Sequence, residues 1–346
     1  MAAVRIQRWE LAPGEAMAVS SRIGFSPISE GESVPKRYVA DDGIRFVTAY
    51  GGQLSILDSI VGWLDPYVQV DTYEEHFGER TPTSSRRLGY QAMFGAKQIA
   101  EYVAMKKLGL EVQFTEGPIV IEELVCDGAP EKNSACEVLE IGDTITEVNN
   151  TKTPTLSALL TLLPTLSIGQ TVDITVLPYV APGSSSSVVP QKRTVEIMAS
   201  PDDAERPIVG FIPADTRVVA LPFDVNISTP DIGGPSAGLA FTLALLDELT
   251  EGDLMGDGRV AATGTINEMG DVGAIGALVQ KAVAARDAGI SLFLVPAGQS
   301  DDEVAAARKA TGSKVRIVQV ANLDEALAAL RRNGGTALPP SISGEG

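Results

Sequence analysis

Asp231-Ile232-Gly233-Gly234-Pro235-Ser236-Ala237-Gly238 is the stretch on which the fold of this chain turns, because it delivers one serine onto the first turn of a long apolar helix. Ahead of it, residues 218–227 (VVALPFDVNI) are β-branched and apolar, the composition of a buried strand. After it, residues 237–249 carry apolar side chains at Leu239, Leu243 and Leu246 and, on an adjacent row, at Phe241, Leu245 and Leu249. That pattern predicts a helix buried on most faces, ended by Gly252. Gly233 and Gly234 permit a sharp turn and a close approach of substrate backbone, and Pro235 suits a helix start through its fixed φ. Ser236 and Ala237 then stand where free backbone N–H groups and the positive end of the helix dipole can hold a developing oxyanion. On this stretch alone a plain helix cap is the simpler reading of Ser236, since serine is among the best N-caps.

A serine nucleophile needs a base. The chain has a single histidine, His76, in an acidic segment far from the serine, which disfavours a Ser-His-Asp triad and leaves a Ser-Lys pair. The candidate is Lys281, 281 − 236 = 45 residues downstream, on a helix whose apolar stripe is Ile275, Leu278, Ala282 and Ala285. Its stem lies at the edge of that stripe. Periodicity alone favours a lysine that carries its ammonium out to water. Service as a base demands burial that lowers the amine's pKa from about 10.4 by about 3 units, at a cost of roughly 4 kcal/mol.

Gly-Pro-Ser-Ala-Gly at 234–238, Thr-Gly-Thr-Ile at 263–266 and Gly-Asp-Val-Gly-Ala-Ile-Gly-Ala-Leu-Val-Gln-Lys at 270–281 together resemble the proteolytic domain of Lon proteases, over about residues 205–332. The resemblance implies that Ser236 is the nucleophile, that Lys281 is its general base and that Thr263 hydrogen-bonds the lysine amine. Gly234, Pro235 and Ala237 then form the supporting turn. The sequence departs from larger Lon enzymes at Gly233 and Thr265, where many of them carry acids; the nearest acid upstream of the serine is Asp231.

The 346 residues, 44% hydrophobic, allow two or three packed domains. A net charge of 27 − 45 = −18 repels phosphate backbones and excludes nucleic acid as the main partner. No run approaches the 18 or more apolar residues of a membrane span, and the first residues are not a signal peptide. Residues 1–110 show no catalytic motif; strand, short amphipathic helix and long helix are expected near 44–49, 56–64 and 86–108, packing on the later domains. From 111 to 200 the pattern turns to short strands, and Ile141-Gly-Asp-x-Ile-x-x-Val-Asn149 with a following helix resembles a PDZ domain, a module that adds an extended peptide to a sheet edge. Leu108-Gly109-Leu110 is a weak match to its carboxylate-binding loop.

Cys126 and Cys136 fit either a disulfide or two free thiols, and without nearby histidines they do not make a zinc site. Residues 181–188 read as a flexible insertion, 200–206 as a linker, 205–335 as the proteolytic domain and 336–346 as a disordered tail. The expected class is therefore α+β, a PDZ-like domain followed by a Lon-type α/β proteolytic domain. No metal or cofactor is expected, and no Gly-x-x-x-x-Gly-Lys-Ser/Thr loop occurs, so ATP-independent hydrolysis of unfolded protein segments is the expected activity. The resemblance to small bacterial PDZ–Lon-like proteins implies further expectations: protein or peptide substrates, a peptide ligand for the PDZ groove, a homo-oligomer, six-membered by the family likeness, and an N-terminal membrane anchor outside this chain that places both domains in the cell envelope. Two other classes compete, a catalytically silent PDZ scaffold and a phosphate-binding relative of small-molecule kinases that share a Gly-rich turn.

Overall fold

The computed structural model describes residues 5–29, 34–38, 43–78, 80–180 and 188–339. One of its two six-stranded sheets, the larger by strand length, has the order Arg316–Val320, Leu292–Pro296, Val260–Ala262, Arg45–Ser55, Arg5–Ala18, Gln69–Thr72. The first four run parallel and the last two pair antiparallel. Half of this sheet comes from before residue 73 and half from after residue 259, so the region 1–110 does not merely pack on the proteolytic domain. It supplies the other half of it, and a boundary at 205 cuts that domain in two.

The reason lies in the core. The helix Gly238–Leu249 has every residue buried, which requires cover on all sides. Phe46 of the N-terminal strand packs edge-on against Phe241 at 5.6 Å between ring centres. The long helix Pro82–Lys107 covers another side, and its expected row Met93, Ala96, Ala100, Ala104 and Leu108 is buried. Thr81 caps that helix reciprocally with Ser84, with Pro82 at its first position.

The middle segment is an insertion in this body. Its sheet has the order Gln191–Glu196, Thr171–Leu177, Thr144–Val148, Ile119–Leu124, Phe211–Pro213, and it has its own core of Ile119, Ile121, Ile145, Val148, Leu159, Ile174 and Val195. The chain leaves through Gln113–Thr115 and returns through Val218–Ala220, and these two strands pair antiparallel to close the neck. Three expectations are corrected here. The unit extends past residue 200 to Pro213, because Phe211–Pro213 is its edge strand. The supposed linker at 200–206 belongs to a hairpin of Met198–Ser200 with Asp203–Ile208. The expected strand at 218–227 is two short ones, Val218–Ala220 and Asp224–Ile227, since Pro222 interrupts the ladder.

Cys126 and Cys136 form a disulfide, with Cα atoms 5.7 Å apart. The helix Ile56–Leu64 forms as expected, but it turns Ser59 and Gly62 inward and leaves Ile56, Leu57, Ile60, Val61, Trp63 and Leu64 exposed. Residues 181–187 and 340–346 of the expected insertion and tail lie outside the described residues. The first part of that tail is packed: the Thr336 N–H donates to the Asp253 carbonyl at 2.7 Å, and Leu338 lies against the core. No described helix is long and apolar enough to cross a membrane.

Candidate functional site

Ser236 stands in a turn two residues before the helix Gly238–Leu249, not on its first turn as expected. The helix cap is Ala237, which offers no side-chain bond, so the capping reading of the serine does not hold. Gly234 adopts φ +94°, a left-handed conformation open to glycine, and its N–H donates to the Gly89 carbonyl of the long helix at 2.7 Å. A Cβ on Gly233 would stand 3.0 Å from the Gly89 backbone, so a larger side chain there would crowd the long helix. Pro235 does not open the helix; its carbonyl accepts the Gly238 N–H at 3.2 Å.

The far side of the turn is tied to the end of the central strand. The Ser236 carbonyl accepts two bonds, from the Gly264 N–H at 2.8 Å and from the Thr263 hydroxyl at 3.1 Å, while Leu239 N–H donates to the Gly264 carbonyl at 3.1 Å. Thr263 is fully buried. Its expected bond to the lysine amine is not made, so Thr263 fixes the serine's backbone instead. With the Gly234, Gly238 and Leu239 N–H groups engaged, those of Ser236 and Ala237 are the donors of this turn without a hydrogen-bond partner among the described residues, and both residues line the cleft.

Lys281 lies on the helix Leu278–Asp287 and its Nζ meets the Ser236 Oγ at 2.8 Å. Only 6% of the residue is exposed. Burial alone pulls its pKa down from the ordinary lysine value to about 8. No carboxylate contributes: the buried ammonium has lost its water without gaining a counter-charge. An amine so placed is neutral in an appreciable fraction of molecules near pH 7.5 and can accept a proton from the hydroxyl it touches.

The pair opens onto a cleft of about 600 Å³. Phe46 to Tyr50 form one wall, Gly233 to Ala237 a second and Ala274 to Ala277 a third, with Glu15 and Asp231 as its carboxylates and Thr265 at its margin. The ladder between the Phe46 strand and Val260–Ala262 stops at Phe46, so beyond it that strand offers an edge to an extended peptide. His76 is elsewhere, stacked on Trp9 at 5.6 Å with Asp71 3.5 Å away. Among the described residues no group of three or more His, Cys, Asp or Glu could hold a metal ion.

Several site residues went unnoticed in the sequence. Gly89 and the strand Arg45–Ser55 lie in an expected helix and an expected strand, but about 150 and 190 residues from the serine no local pattern marks them as part of its site. Gly264 and Gln299 sit within or beside segments already singled out, and their backbone-fixing roles are visible only in three dimensions.

A model of the Lon protease (S16) C-terminal proteolytic domain matches residues 224–332. The Lon protease of Trichlorobacter lovleyi is 40% identical over 94 residues, 27% of this chain and 11% of that protein. That of Xanthomonas oryzae pv. oryzae is 37% identical over 108 residues, 30% of this chain and 12% of that protein. The chain thus spans about a tenth of the length of these curated relatives. Among solved structures, the PDZ domain of the SdrC-like protein of Listeria monocytogenes is similar with 20% identity and a TM-score of 0.22, covering 31% of this chain and 95% of that one. Residues 224–332, which hold Ser236, Thr263 and Lys281, are therefore the part of the chain that is similar to the Lon protease (S16) proteolytic domain.

Proposed function

We propose that this protein is a serine endopeptidase that hydrolyses flexible or unfolded protein segments through a Ser236–Lys281 dyad and without ATP. The observation that carries the reading is the 2.8 Å contact between a buried amine and a serine hydroxyl at the head of a cleft. In the reaction, the fraction of Lys281 that is neutral takes the Ser236 proton as the oxygen attacks the scissile carbonyl. The tetrahedral oxyanion is held by the Ser236 and Ala237 N–H groups. The resulting ammonium gives its proton to the departing amine, leaving an acyl-serine, and a water activated by the again neutral lysine releases the second product. Thr263 and Gly264 act as positioning residues, because they hold the serine's own carbonyl from behind.

The inserted unit is read as a PDZ-like module that takes a substrate or regulatory peptide on its edge strand Phe211–Pro213. Ile208-Val209-Gly210-Phe211, with Gly210 at φ +103°, occupies the place at the head of that edge strand where Leu108-Gly109-Leu110 was considered; the latter ends the long helix instead. Assembly into a homo-oligomer, six-membered by the family likeness, and an envelope location through an anchor outside this chain belong to the same reading.

The test is degradation of casein without ATP by the wild type, Ser236→Ala and Lys281→Ala. Both variants are expected to lose at least about 10³-fold in kcat/KM, the scale of a nucleophile or its base. Equal activity in all three removes the dyad. Inactivity in all three, with intact binding of peptides to the inserted unit, favours the silent scaffold.

A further inference from the structure

The helix that carries Lys281 begins in an unusual way. Its cap, Ala277, has φ +60° and ψ +38°, a left-handed conformation that costs a non-glycine residue roughly 1 kcal/mol, and it provides no side-chain bond to the helix N–H groups. Something outside the helix must hold this start. The approach to it, Ile275 to Ala277, is irregular backbone and forms the third wall of the cleft.

Gln299 is the one side chain among the described residues that bonds this approach. Its Oε1 accepts the Ile275 N–H at 2.6 Å and its Nε2 donates to the Ile275 carbonyl at 3.1 Å. The amide therefore exchanges two bonds with one residue, as a paired strand would. Its orientation is set by a third contact, Nε2 to Glu303 Oε2 at 3.3 Å, and Glu303 is itself held by Ser300 in a reciprocal cap of the next helix, Asp301–Thr311. Gln299 is only 6% exposed, so the bonds form out of competition with water and loss of either leaves a backbone group unsatisfied.

We infer that Gln299 is a positioning residue for the dyad: by clamping Ile275 it holds the left-handed turn at Ala277, and through that turn it keeps the Lys281 amine dry and against the Ser236 hydroxyl. The chain of contact is short. Ala277 follows Ile275 by two residues, and its carbonyl accepts the Lys281 N–H at 3.0 Å. A slip of this turn would tilt the first turn of the helix, on which the lysine rides, and admit water to the amine. The inference deepens the endopeptidase reading and rests on it for its consequence in catalysis, but the positioning itself is a statement about the lysine.

The test uses the full chain with lysine labelled at Cε with ¹³C, the Lys281 signal being assigned by its loss in Lys281→Ala. Its titration is followed by NMR in the wild type, Gln299→Leu, Gln299→Glu and Ser300→Ala, with thermal unfolding recorded for each. Other charges facing the cleft, Glu15 and Asp231, are unchanged in all four proteins. In the wild type the amine is expected to titrate near 8. In Gln299→Leu the midpoint moves up by about one unit or more towards the ordinary 10.4, and the acid limb of kcat/KM moves with it, with about a tenfold loss at pH 7. Gln299→Glu keeps only the acceptor and shifts in the same direction. Ser300→Ala frees the Glu303 carboxylate that orients the Gln299 amide but leaves both bonds to Ile275, so its midpoint moves in the same direction by less than in Gln299→Leu. A cooperatively folded Gln299→Leu or Gln299→Glu whose lysine titrates as in the wild type overturns the inference. If the midpoint moves while casein is cut equally well by Ser236→Ala, the clamp stands and the endopeptidase reading fails.

Discussion

Seven α-helices among the described residues begin on a side-chain cap: Ser55, Thr72, Thr81, Ser134, Thr155, Ser300 and Asn322 each accept a bond from a first-turn N–H. The two helices that carry the Ser-Lys pair do not; both begin on alanine, at Ala237 and Ala277. The difference is local and chemical. At Ala237 the helix N–H groups are taken up by the carbonyls of Pro235 and Gly264, which stitches the serine turn to the central strand. At Ala277 the turn is held from outside by Gln299. A side-chain cap at either place would project a polar group into the cleft where a substrate carbonyl must lie. Side-chain caps thus stabilise the helices outside the Ser-Lys pair and are absent from the two that carry it.

This contrast can be broken or sharpened by measurement. The largest stability effect is expected at Lys281. Its pKa of about 8 in the folded chain lies below the ordinary value, so the unfolded chain holds that proton more tightly. Below about pH 8 the buried ammonium costs roughly 3 kcal/mol, and as pH rises from about 8 to about 10.4 the cost disappears and stability rises. Lys281→Met should therefore be more stable than the wild type by about 2–3 kcal/mol in urea unfolding at pH 7, with the gap closing by pH 10. An equal gap at both pH values would mean that packing, not ionisation, sets the difference. At a supporting helix, Ser300→Ala should lose about 1 kcal/mol, the ordinary worth of a side-chain cap. No loss there would remove the distinction between the two kinds of helix start. The smallest effect is expected at Ala277→Gly, where relief of the left-handed backbone should add a few tenths to about 1 kcal/mol in thermal unfolding, partly offset by the greater freedom of glycine when unfolded.

Much of this molecule was legible in its sequence. The serine helix, the lysine helix and the long helix over 86–108 were each marked by apolar rows, because a helix buried by its neighbours repeats its contacts every three or four residues. Ser236 and Lys281 could be paired from one histidine, one Gly-Pro-Ser turn and the family likeness. The role of Thr263 was misassigned, since sequence order cannot say whether a hydroxyl beside two partners bonds an amine or a carbonyl. The domain boundaries were misdrawn for a different reason. Strand pairing between residues some 200 positions apart leaves no local period, so the halves of the larger sheet at 5–72 and 260–320 read as separate regions, and an insertion closed by two three-residue strands at its neck read as a domain in a row.

Composition, period and residue type were enough to mark the serine, lysine and long helices, the acidic charge, the lack of a phosphate loop in this sequence, and which serine and lysine could meet. Only the tertiary structure decided that the two do meet, at 2.8 Å, that the lysine is dry enough to titrate near 8, and that the N-terminal strands complete the body around them. Distance and desolvation are properties of what surrounds a group, and here the surroundings come from residues as far from Ser236 in the chain as Phe46 and Gly89.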